Sequence, residues 1–143
     1  MKVAAAFAVA AIGFSSAAMA VDEIHKMPIQ GGLDAGQHTK QTISPDIKLF
    51  FGNQKTPAVE KKIGEWDSNR KTMRKSLQER CDTAFVSSIL ALQDRARREG
   101  GNAVINITSE SMEGKTDSAT EYACTSGRAS AGVHLRGTVV KLK

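Results

Sequence analysis

SLQERCDTAFVSSILALQDRARREGGNAVINI, residues Ser76–Ile107, is the stretch whose periodicity decides the fold. Leu77, Cys81, Ala84, Phe85, Ser88, Ile89, Leu92 and Ala96 recur at helical spacing and form one apolar or small-residue stripe. That pattern predicts a long amphipathic helix from about Leu77 to Glu99. Ser76 and Glu79 occupy capping-box positions at its start. Arg95, Arg97 and Arg98 put positive charge in the last turn, where the helix dipole favours it, and Gly100-Gly101 supply a left-handed stop. Asn102–Ser109 then alternates, with Ala103, Ile105 and Ile107 on one side, as a strand does.

Working toward the N-terminus, Asp46–Gly52 (DIKLFFG) alternates at Ile47, Leu49 and Phe51 and stops at Gly52-Asn53. Val59–Trp66 (VEKKIGEW) reads as a second strand with Gly64 as a bulge or bend. Asp67–Lys75 (DSNRKTMRK) is polar and basic and reads as a mobile loop. Toward the C-terminus, Glu110–Asp117 reads as a charged loop around Gly114, and Ala119–Thr125 as a strand with Cys124 near its end. Ser126–Ala131 is a small-residue loop, and Gly132–Lys143 a final strand kinked at Gly137. The order β–β–α–β–β–β predicts a single α+β domain over residues 46–143, one long amphipathic helix packed on a mostly antiparallel sheet of four to five strands. Residues 21–45 are polar and broken by Pro28, Gly31-Gly32, Gly36 and Pro45. They read as a flexible N-terminal arm that Ile24, Met27, Ile29 and Leu33 pin in places.

Residues 1–20 set the expected compartment. Met1-Lys2 is followed by an apolar run from Val3 to Phe14 and by the small-residue cleavage box Ala18-Met19-Ala20. This is the order of a secretory signal peptide cut after Ala20, and the run is short of the roughly 20 residues that span a bilayer. No cysteine follows the run to accept a lipid, so the expected product is soluble, periplasmic and without a membrane anchor. Removing Lys2 leaves the product one charge below the +5 of the 143-residue chain. A mild basic excess is compatible with any anionic surface and selects none. In an oxidising compartment the two cysteines, Cys81 and Cys124, are expected to form one disulfide, closing a loop of 43 residue steps. Such a closure stabilises by about 4 kcal/mol in the chain-entropy treatment. Cys81 lies on the apolar stripe of the helix and Cys124 on a strand, so the disulfide and the amphipathic pattern make the same packing claim.

The stretch Ala91–Ile107 (ALQDRARREGGNAVINI) resembles the helix–GxNAV–strand signature of the YbjQ-like and Rcs-type stress-sensor group of small bacterial domains. SATEYAC (Ser118–Cys124) and AGVHLRGTVV (Ala131–Val140) are similar to an exported proteobacterial set often labelled excinuclease ATPase subunit-like. The resemblance spans Leu49–Leu142. It implies a helix packed on a sheet, a role near envelope stress, and self-association into rings. The ATPase label would need a G-x-x-x-x-G-K-[ST] phosphate loop, which this sequence lacks. The Rcs sensor is a lipoprotein, and the lipid-bearing cysteine is missing here.

No catalytic constellation assembles in the sequence. His25, His38 and His134 do not fall at ligand spacing, so neither a metal nor a cofactor site is expected. Ser126-Gly127 and Ser130-Ala131-Gly132 lie outside any G-x-S-x-G elbow. Glu110, Glu113 and Asp117 cluster in one solvated loop, and Glu121 adjoins Tyr122 in a strand. Lys61, Lys62, Arg70, Lys71, Arg74, Lys75 and Arg80 form a basic stretch around Trp66, a pattern that can track single-stranded nucleic acid. Glu60, Glu65, Asp67 and Glu79 interrupt it, and nucleic acid is not the expected partner. The reading is therefore a non-enzymatic binding or envelope-stress-related accessory domain that meets an envelope protein or its own copies. The alternative is a small-ligand or metal-binding sensor with a pocket between helix and sheet near Glu121, Tyr122 or His134.

Overall fold

The computed structural model describes residues 22–36 and 41–143. The signal-peptide reading of residues 1–20 and the histidine at position 38 fall outside them. The fold is α+β, a curled mixed sheet of seven strands with two helices. In chain order the elements are β1 (Glu23–Pro28), α1 (Ile29–Ala35), β2 (Lys48–Phe51), β3 (Val59–Thr72), α2 (Leu77–Arg98), β4 (Ala103–Ser111), β5 (Gly114–Thr116), β6 (Glu121–Ser126) and β7 (Ala131–Leu142).

α2 matches its sequence signals. The Ser76 hydroxyl accepts the Glu79 N–H at 3.2 Å, satisfying one of the donors a helix start leaves open. At the other end Gly100 sits at φ +82°, and Gly101 N–H donates to the Ala96 carbonyl at 2.8 Å. A left-handed residue there closes the last turn.

β7 organises the sheet. One edge pairs antiparallel with β3 along its whole length, from Val59↔Leu142 to Thr72↔Ala131. Its other edge is shared: β4 pairs with the stretch from His134 to Val140, and β6 takes only Gly132 and Ala131. β1 then adds antiparallel to β6. Two neighbours on one edge make the sheet curl around α2. Val133, Leu135 and Val139 of β7 point into the core with Phe85, Ile89 and Leu92 of α2, and all are buried. Cys81 on α2 and Cys124 on β6 are joined in a disulfide. Such a bond fits an oxidising, exported location.

Four expectations are corrected. The sheet has seven strands rather than four or five, and β2–β4 is a parallel pair (Lys48↔Ala103, Leu49↔Val104, Phe51↔Ile107), so the sheet is mixed. Within the segment read as a flexible arm, β1 is a full sheet member in register with β6. α1 follows it as a second helix packed on α2. Asp67–Thr72, read as a mobile loop, continues β3 against Arg136–Ala131 of β7. Its polarity reflects an edge strand with mostly exposed side chains rather than loss of pairing. Finally, the loop predicted at Glu110–Asp117 is mostly a hairpin, with β4 running to Ser111 and turning through Gly114 into β5. The bulge predicted at Gly64 is present as a register shift between Lys62 and Gly64. A further shift, between Ile105 and Thr108 in β4, holds Asn106 at φ +50°, a conformation that asparagine tolerates.

Candidate functional site

Between α2 and β6, around Tyr122, the space is filled by side chains. The Phe85 and Tyr122 rings stack with centroids 4.2 Å apart, and Phe51 lies beyond Phe85 at 6.0 Å. Tyr122 is 1% exposed, and its hydroxyl donates to Asp82 Oδ1 at 3.0 Å. Gln78 Nε2 donates to the other oxygen of that carboxylate at 2.8 Å. Burial, and then the adjacent Asp82, push the Tyr122 phenol far above its ordinary pKa. Tyr122 is therefore a packed, neutral donor beside the disulfide. Glu121, its neighbour, is exposed at the start of β6 opposite Pro28.

The opposite, outer face of the sheet carries a polar cleft of about 220 Å³ where the ends of β3, β4, β6 and β7 meet. Asp22, Asn69, Lys71, Glu110, Ser130 and His134 are among the residues that line it. The sheet register explains the grouping: His134 lies opposite Asn69 on β3 and opposite Glu110 on β4, so three strands present these side chains on one face. His134 Nε2 is 2.7 Å from Asp67 Oδ2, and this contact holds the Asp67 carboxyl below its usual pKa. Ser126 is buried and engages His25 Nε2 at 2.9 Å, outside the cleft lining. Gly127 N–H donates to the Ser130 carbonyl at 2.8 Å, an ordinary tight turn. Glu113 and Asp117 flank β5 and are exposed, so the acidic cluster read from the sequence contributes only Glu110 here. Among the described residues, no group of three or more His, Cys, Asp and Glu side chains is gathered to hold a metal ion.

The basic stretch divides. Lys61, Lys62, Arg70 and Lys71 are exposed along β3, Arg74 and Lys75 follow it, and Arg80 belongs to the first turns of α2. The Arg95 guanidinium lies over the Trp66 ring, 5.5 Å from its centroid, so that face of the indole is already covered. At the end of α2, Arg97 forks onto Asp46 at 2.8 and 2.9 Å and holds that carboxyl far below the ordinary range. This partner is absent from the sequence-based expectation, which assigns Arg97 to the helix dipole, because Asp46 is 51 positions away and carries no local signal. Asp82 is likewise absent from it, and its position next to Cys81, at the margin of the helix stripe, is the available hint.

No helix among the described residues is long and apolar enough to cross a membrane. No family model, curated protein or solved structure matches this chain.

Proposed function

We propose that this protein is a soluble periplasmic, non-enzymatic binding or accessory domain of the YbjQ-like, stress-sensor type, exported by a signal peptide cleaved after Ala20. The supporting observation is the filled interface between α2 and β6, where the Phe85–Tyr122 stack and the Cys81–Cys124 disulfide occupy the place an enclosed active site would need. A domain built this way offers surfaces rather than a reaction chamber. The disulfide agrees with export, and the A-x-A box at Ala18–Ala20 supplies the route.

Crosslinking in the bacterial envelope followed by affinity purification, with light scattering of the purified protein, tests this reading. A reproducible envelope partner or a defined oligomer is expected. A monomer that crosslinks to nothing contradicts it.

The polar cleft around His134, Glu110 and Lys71 favours a second reading, a small-ligand or metal sensor. Calorimetric titration of the oxidised protein with zinc or copper separates the two. Micromolar or tighter binding would select the sensor.

A further inference from the structure

β3 carries the longest strand edge in the sheet. β7 pairs with one side of Val59–Thr72, and no described strand pairs with the other. Free edges are usually protected by charge and by bulges. β3 has both, but its register shifts fall between Val59 and Lys61 and between Lys62 and Gly64. From Glu65 to Thr72 the register is unbroken, so a regular length of backbone edge stays open.

That length borders a groove of about 200 Å³ between β3 and α2. Arg70 from β3 and Arg95 and Arg98 from α2 line it, above the half-buried Trp66. Arg95 meets Glu99 at 3.1 Å and Arg98 meets Asp94 at 2.8 Å, each through one nitrogen of a guanidinium that carries five donor hydrogens. Arg70 has no ion pair among the described residues. Asp67 is the acid in the groove lining, and its Oδ2 is engaged by His134. On the outer face of β3, Glu65 is engaged by Arg136 at 3.2 Å. The groove side is therefore cationic, and the outer side carries acids already paired.

The geometry points to a docking site for an extended acidic segment of a partner protein. The segment adds as a strand to the open edge of β3 between Glu65 and Thr72. Its acidic side chains, at alternate positions, face Arg70, Arg95 and Arg98. Backbone pairing supplies affinity and side-chain alternation supplies selectivity. The intervening residues meet Glu65 and Asp67 and are neutral or basic. This assignment deepens the binding-domain reading and rests on it.

Fluorescence anisotropy of the oxidised full domain with a dye-labelled peptide alternating Glu and Thr tests the site. Saturable binding is expected, weakened about tenfold or more by the paired change Arg95→Gln and Arg98→Gln. Thermal melting of that variant serves as the control for folding, and Arg70→Gln as the independent variant from the strand side. Absence of binding, or equal binding by the variants, overturns the assignment. So does equal binding of a peptide of the same composition with its glutamates in one block, because strand addition needs the alternation. Tighter binding of a single-stranded oligonucleotide through the same arginines also overturns it. If the peptide fails while envelope crosslinking still recovers a partner, the groove is wrong and the binding-domain reading survives. If crosslinking recovers neither partner nor oligomer, that reading itself falls.

Discussion

The two flanks of α2 treat the same sheet differently. On one, Cys81 and Asp82 reach β6, where Cys124 closes the disulfide, Tyr122 donates to Asp82, and the Tyr122 ring stacks on Phe85. On the other, toward β3, Arg95 and Arg98 stand at the rim of an open groove and Ser68 is left with a buried hydroxyl that finds no partner among the described residues. The first flank commits its polar groups internally. The second keeps guanidinium donors at the surface beside an unpaired strand edge. On the proposed reading, stability and recognition are divided between the sides of one helix, and substitutions should sort by side.

Phe85→Ala should have the largest effect. The ring is fully buried between Phe51 and Tyr122, and truncation of such a residue costs about 3–5 kcal/mol in urea unfolding. Tyr122→Phe keeps the stack and removes one donor to a nearly buried carboxylate, so a loss of about 1–3 kcal/mol is expected from the same measurement. A cost below about 0.5 kcal/mol for either change would remove the distinction between the flanks. On the other flank, Arg98→Gln should leave stability within about 0.5 kcal/mol, because its ion pair with Asp94 is an exposed i,i+4 contact.

The smallest effect belongs to acid. Asp46, held by Arg97, and Asp67, held by His134, both have folded pKa values below their unfolded ones. Their contribution is fully present above the ordinary carboxylate range, near pH 4, and is lost as pH falls through the lowered folded values. Both groups are largely solvated, so the urea midpoint should fall only slightly across that acidic window. Arg97→Gln should return the Asp46 carboxyl toward its ordinary range in an NMR titration.

Much of the sewn flank was legible in the sequence. The stripe from Leu77 to Ala96, the Ser76–Glu79 cap and the placement of Cys81 on that stripe carried it, because each is a local pattern of the helix itself. The N-terminal elements were not legible. α1 is seven residues long, contains Gly31 and Gly32 and has no side-chain cap, so nothing local marks it as helix. It forms by packing on α2. There a Cβ on Gly32 would come within 2.5 Å of Phe85 Cδ1, so the glycine that reads as a breaker permits the close approach. β1 owes its place to pairing with β6, and Met27 is its single buried residue. The second half of β3 was missed because an edge strand with one buried position, Ser68, shows no alternation of apolar residues. The parallel β2–β4 pair depends on a crossover through β3 and α2, a tertiary fact without a local signature. The arginine groove is half legible: Arg95 and Arg98 stand out as positive charge in the last helical turn, but the strand edge beside them reads as loop.

The most direct test of the divided helix is a non-reducing peptide map of the protein recovered from the envelope. One crosslinked peptide pair carrying Cys81 and Cys124 is expected, with no free thiol at either position. Free thiols at both positions would contradict it, leaving the β6 flank without the covalent tie that sets it apart from the β3 flank.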